Sequence, residues 1–115
     1  MGKITIDEEE AKRIVREAME NYPEASSDSL ECIQWNYKEM KFTFTEDTGT
    51  SNNLVKHDLN EEMLIKGLNI FVELVLRGEY HNNNFQENFM DVGNWDATDF
   101  DALVQCALFG KIIYG

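Results

Sequence analysis

Basic residues are scarce in this chain. Lys and Arg together number 10 against 22 Asp and Glu, a net charge of −12. Phosphate backbones are held by Lys and Arg, so direct binding of nucleic acid is not expected, nor is binding to an anionic membrane surface. Cysteine is limited to Cys32 and Cys106, with no Cys-x-x-Cys and no Cys/His cluster. Each lies in an apolar run, so both are expected as free, buried thiols in a reducing compartment. The two histidines, His57 and His81, have no second ligand at helical spacing, and no metal site is expected. The seven glycines form no phosphate-cradling cluster. No apolar run approaches the roughly 20 residues of a membrane span. The N-terminal residues lack a signal-peptide core, and Ile6 stands where a myristoylation motif needs Ser or Thr. The expected location is the cytoplasm.

What is present is enough for one domain over residues 1–115. The hydrophobic fraction is 43%, with seven Phe, four Tyr and two Trp. A chain of this size buries roughly two thirds of its unfolded surface. No repeat or linker divides it.

Three amphipathic helices can be read. Thr5 with Glu8 predicts a capping box opening a helix from Ile6 to Tyr22, closed by Pro23. Ala11, Ile14, Val15, Ala18 and Met19 fall on one face, and Glu8–Lys12 and Glu9–Arg13 are favourable i,i+4 pairs. Asp58 with Glu61 predicts the start of a second helix, Leu59–Arg77, stopped by Gly78. It is apolar around most of its circumference and should be central. A third helix is expected from Asp96 or Thr98 to Gly110, with Phe100, Leu103, Val104, Ala107 and Leu108 inward. The apolar end Lys111–Gly115 should be docked, as a strand or otherwise.

Between the first two helices, Ile33, Trp35 and Tyr37 alternate with polar residues, as do Met40, Phe42 and Phe44. A turn over Lys38-Glu39, or a four-residue loop Tyr37–Met40, pairs Trp35 with Phe42 and Ile33 with Phe44 on one buried face. Gln34, Asn36, Lys41 and Thr43 take the other. Glu46–Lys56 reads as a polar, mobile loop, and Phe89–Val92 is a candidate short strand. The expected fold is α+β: three helices packed on one face of a small antiparallel sheet containing a β-hairpin.

No catalytic pattern stands out. The serines lie in polar loops without a base-and-acid motif, and 22 acids make chance carboxylate pairs uninformative. Asp91, Asp96, Asp99 and Asp101 do not follow an EF-hand loop. Neither an enzyme nor a cofactor is expected. The charge distribution is more telling. Gly78–Gly110 contains no Lys or Arg and six acids, interleaved with aromatics. A single-sign stretch builds a field. Glu79, Glu87, Asp91, Trp95, Asp96, Asp99 and Asp101 are therefore the expected contact residues for a basic partner protein, itself a candidate nucleic-acid binder. The competing reading makes the aromatics core and the acids caps.

The segment Asp101 to Gly115, with Gln105, Ala107-Leu108-Phe109-Gly110 and Tyr114-Gly115, resembles the tails of small acidic phage proteins. That resemblance implies a phage origin and an accessory role, and assigns no catalytic residue. The functional expectation is a non-enzymatic inhibitor of a basic host protein, in one version a DNA mimic. The alternatives are a small-ligand-binding module at the hairpin and the 46–56 segment, or a structural, self-assembling protein. Homodimerisation stays open.

Overall fold

The computed structural model describes residues 7–21, 30–49, 54–80, 92–95 and 97–113. Helix α1 is Glu8–Asn21, followed by strands β1 Leu30–Asn36, β2 Lys41–Asp47 and β3 Leu54–Asn60. Helix α2 is Glu61–Leu76, a 3-10 turn spans Val92–Asn94, and helix α3 is Ala97–Phe109. The strands form one antiparallel sheet in the order β1-β2-β3. The architecture is the expected α+β fold. Thr5, Tyr22 and Pro23, and the expected strand residues Phe89–Asp91, lie outside the described residues, while Val92 belongs to the 3-10 turn.

Helix α1 buries the predicted stripe: Ala11, Ile14, Val15, Ala18 and Met19 are all almost fully enclosed. Lys12 pairs with Glu8 at 3.8 Å as expected. Arg13 does not take Glu9. It lies between Glu10 and Glu17, with 3.1 Å to the latter. Arg16 reaches Glu61 at 2.8 Å and ties α1 to the start of α2.

Helix α2 is the spine, packing against α1, α3 and β3. Its buried residues Leu64, Gly67, Leu68, Phe71 and Val72 recur at helical spacing. The cap is Asn60 rather than Asp58: the Asn60 side chain accepts from the Met63 N–H at 2.9 Å. The far end closes as a Schellman motif, with Gly78 N–H donating to Val75 and Glu79 N–H to Leu74, and Gly78 at φ +73°. At Gly67 the α3 backbone comes so near that a Cβ would lie 2.6 Å from the Ala107 nitrogen. Only glycine permits that approach. Helix α3 stops at Gly110, and Gln105 accepts from the Ile113 N–H at 2.8 Å. That bond ties Ile113 back to α3; residues 111–113 are not a strand, and Tyr114 and Gly115 lie outside the described residues.

The hairpin holds, with two corrections. The connection is the four-residue loop Tyr37–Met40, and Trp35 faces Phe42 as predicted. Phe44, however, faces Cys32, because the ladder slips by one residue between Cys32 and Gln34. Ile33 is the extra residue of a β-bulge. Leu30 and Cys32 take the enclosed positions, leaving Ile33 40% and Trp35 53% exposed. The second correction concerns the expected loop 46–56. Its first two residues finish β2 and its last three begin β3, which pairs with β2 from Lys41↔Asn60 to Asp47↔Leu54.

Candidate functional site: an open polar groove on the sheet

The predicted acidic contact surface is only partly at the surface. Glu79 is exposed, and its carboxylate lies 3.8 Å from Arg77. Asp101 is half-buried and accepts from the Gln105 amide at 2.6 Å. Trp95 and Asp99 are interior, correcting the expectation that they meet a partner. Trp95 packs edge-on against Phe71 and obliquely against Phe100, with ring centroids 6.1 and 5.6 Å apart. Asp99 is fully enclosed and accepts a hydrogen bond from the Tyr80 hydroxyl. The burial of Asp99 has a helical cause. Asp99 precedes Leu103 and Cys106 by four and seven residues, on the inward stripe of α3. Glu87, Asp91 and Asp96 lie outside the described residues.

The sheet itself presents a different feature, a groove of about 730 Å³ lined by all three strands near the Tyr37–Met40 loop. Cross-strand pairing sets two polar rows on one face: Gln34–Thr43–Asp58, then Asn36–Lys41–Asn60. Cross-strand partners share a face because side chains alternate along each strand. Thr43 is half-buried and the other five residues are exposed. Opposite them, Phe42 and Leu59 point into the core. Ile33, Trp35, Phe42 and Leu59 complete the lining, Trp35 sharing the face of its cross-strand partner Phe42.

Several of these polar groups are already held. The Thr43 hydroxyl donates to Asp58 Oδ1 at 3.1 Å. Asn36 Oδ1 accepts from the Glu39 N–H at 3.2 Å, and Asn60 caps α2. Lys41 Nζ stands 3.8 Å from Glu39. The groove therefore combines fixed amide, hydroxyl and carboxylate groups with one ammonium that already has a counter-charge.

Sequence reasoning placed Gln34, Asn36, Lys41 and Thr43 on this face. It missed Asp58 and Asn60, taken as the start of the helix, and it assigned Ile33 and Trp35 to the core. A signal was present. Leu30 and Cys32 are apolar at even positions, while Ile33, Trp35 and Tyr37 are apolar at odd ones. A parity switch inside one strand marks a bulge.

Elsewhere, Glu46 is buried and its Oε1 lies 2.8 Å from His57 Nε2, while the His57 ring stands edge-on to Phe109. That contact joins the sheet to the end of α3. The thiols are free and enclosed, and burial pushes Cys106 up to about 12 and Cys32 to about 11. Both stay protonated near neutrality, whereas nucleophilic or metal-binding chemistry uses the thiolate. Among the described residues, no group of three or more His, Cys, Asp or Glu could hold a metal ion. No described helix is long and apolar enough to cross a membrane.

No protein-family model, curated protein or solved structure matches the chain.

Proposed function

We propose that this protein is a non-catalytic binding module that engages, and thereby inhibits, a basic protein partner in the cytoplasm. The observation that carries this reading is Trp35, 53% exposed on β1, an outer strand among those described, in a chain with net charge −12. Covering the open half of an indole is worth about 2–3 kcal/mol at about 25 cal/mol per Å². An edge strand also offers backbone groups for a partner segment to pair with. The surrounding negative field favours encounter with a partner rich in Lys and Arg. Mimicry of DNA is less well supported. Glu8, Glu10, Glu17 and Glu61 already have cationic partners on or beside α1, which interrupts a phosphate-like row there.

The test is capture of partners from lysate of the source cell at low salt, with wild type and Trp35→Ala in parallel, followed by a salt wash. A basic protein retained by wild type, lost in the variant and released by salt is the expected result. Retention unchanged by the substitution and by salt would sink the reading.

A second reading, a small-ligand-binding module, is favoured by the groove. Its volume lies within the roughly 300–1,000 Å³ typical of ligand sites. The site would be at the hairpin end of the sheet, opposite the 46–56 end.

A further inference from the structure

We infer that the sheet groove is a binding site for a neutral, hydroxyl-rich ligand, a short saccharide, an inference that rests on the ligand-binding reading above. The charge of the groove selects first. Among the described residues its lining contains one cation, Lys41, and one anion, Asp58. Lys41 stands 3.8 Å from Glu39, so a phosphate or sulfate ester would have to compete for it within a chain of net charge −12. Asp58 already receives the Thr43 hydroxyl, a single shared carboxylate and a weak trap for a cation. Among the described residues neither sign of ligand finds a built counter-charge.

Hydrogen-bonding capacity selects next. Gln34, Asn36, Asn60 and Thr43 each carry both donor and acceptor groups, a mixture that suits hydroxyls, which also do both. The structural bonds leave specific capacity over. Asn60 uses its oxygen on the Met63 N–H, so its amide nitrogen is left to donate. Thr43 gives its proton to Asp58 Oδ1, so its oxygen can accept, as can Asp58 Oδ2. Because these side chains are already held, little rotamer freedom remains to be lost on binding. Gln34, exposed on the same row, adds an amide at the edge.

Shape selects last. Ile33, the extra residue of the bulge, lines the groove and is 40% exposed, while Trp35, the cross-strand partner of Phe42, borders it from the other face of the strand. A pyranose ring has one apolar face of C–H groups, which packs on an aliphatic surface such as that of Ile33, while its hydroxyl rim meets amides and carboxylate. A wholly apolar ligand would leave the two polar rows desolvated and unpaired.

The experiment is an amide NMR titration of the full chain to millimolar ligand. Maltotriose, cellotriose and triacetylchitotriose are the test probes, with AMP, inorganic phosphate and spermidine as charged controls. Saturable shifts at residues 33–36, 41–43 and 58–60 with at least one saccharide are expected. Gln34→Ala, an exposed change that should leave the fold intact, should weaken that binding about tenfold, the loss of one well-made hydrogen bond. Shifts in the groove with AMP, phosphate or spermidine but no saccharide overturn the ligand class and spare the ligand-binding reading. No groove shift with any probe overturns both. Saccharide binding unaffected by Gln34→Ala, or mapping elsewhere, overturns the proposed site.

Discussion

The seam between α2 and α3 and the edge at β1 draw on similar residues and treat them in opposite ways. At the seam, Gly67 brings two backbones nearly into contact, and Phe71, Trp95 and Phe100 close over one another. At the edge, Trp35 faces Phe42 in register, yet Phe42 is 2% exposed and Trp35 53%. The two tryptophans have equal hydrophobic drive. They differ in neighbours: a residue between helices is covered from several directions, whereas one on an outer strand has a partner strand on one side. The lesson is that an aromatic side chain is core only where topology supplies its cover. Its exposure is then information about what the surface can bind.

The comparison can be broken hardest at the seam. Gly67→Val drives a branched side chain into the Ala107 backbone, which cannot rotate away. The loss should reach or exceed the upper end of the about 1–3 kcal/mol usual for overpacking, read as a fall in the urea midpoint. Gly67→Ala should lose less, since alanine recovers about 1 kcal/mol of helix propensity. Next is Tyr80→Phe, which removes a donor from the enclosed Asp99. It should destabilise by about 1–3 kcal/mol, and Tyr80→Phe in an Asp99→Asn background should cost less, as a double-mutant cycle would reveal. At the junction of sheet and helix, Asn60→Ala removes the α2 cap and should cost about 1 kcal/mol by the same assay. Asn60→Asp should keep most of it.

The enclosed thiols predict a gradual alkaline effect. Their folded values, about 11 for Cys32 and about 12 for Cys106, lie above the ordinary 9.0. Below that ordinary value both states hold the protons and these groups add no pH dependence. Above it the unfolded chain releases them first, so stability falls as pH rises from 9.0 toward the folded values. Urea midpoints measured across that interval should decline, less steeply in Cys106→Ala. The smallest change in stability belongs to the edge. Trp35→Ala should move the midpoint by no more than about 0.5 kcal/mol, although it removes the proposed contact. A large loss there would mean that Trp35 is structural and the contrast with Trp95 is false.

Legibility in the sequence followed the strength of local pattern. The inward stripe of α1 and the closure of α2 at Gly78 were plain because a 3.6-residue period and a stop signal agree. Trp35↔Phe42 was legible from alternation. β3 was harder. Val55, His57 and Leu59 alternate with Lys56 and Asp58, but histidine weakens the apolar set, and the strand runs directly into the α2 cap. The buried acid Asp99 was read as a surface charge because composition treats all carboxylates alike. Its spacing to Leu103 and Cys106 was the better guide. The groove could not be read whole, since its two polar rows come from three strands, one of them unrecognised.

By itself the sequence determined the α+β class, the buried face of α1, the strong negative charge and the polar face of the hairpin. Each depends on residue type and short-range spacing, which are local properties of the chain. Only the tertiary structure decided that Trp35 is open while Trp95 is closed, that Asp99 lies inside and that Asp58 and Asn60 join Gln34 and Thr43 around one groove. Those outcomes depend on which elements become neighbours, and that is fixed by packing the whole chain together.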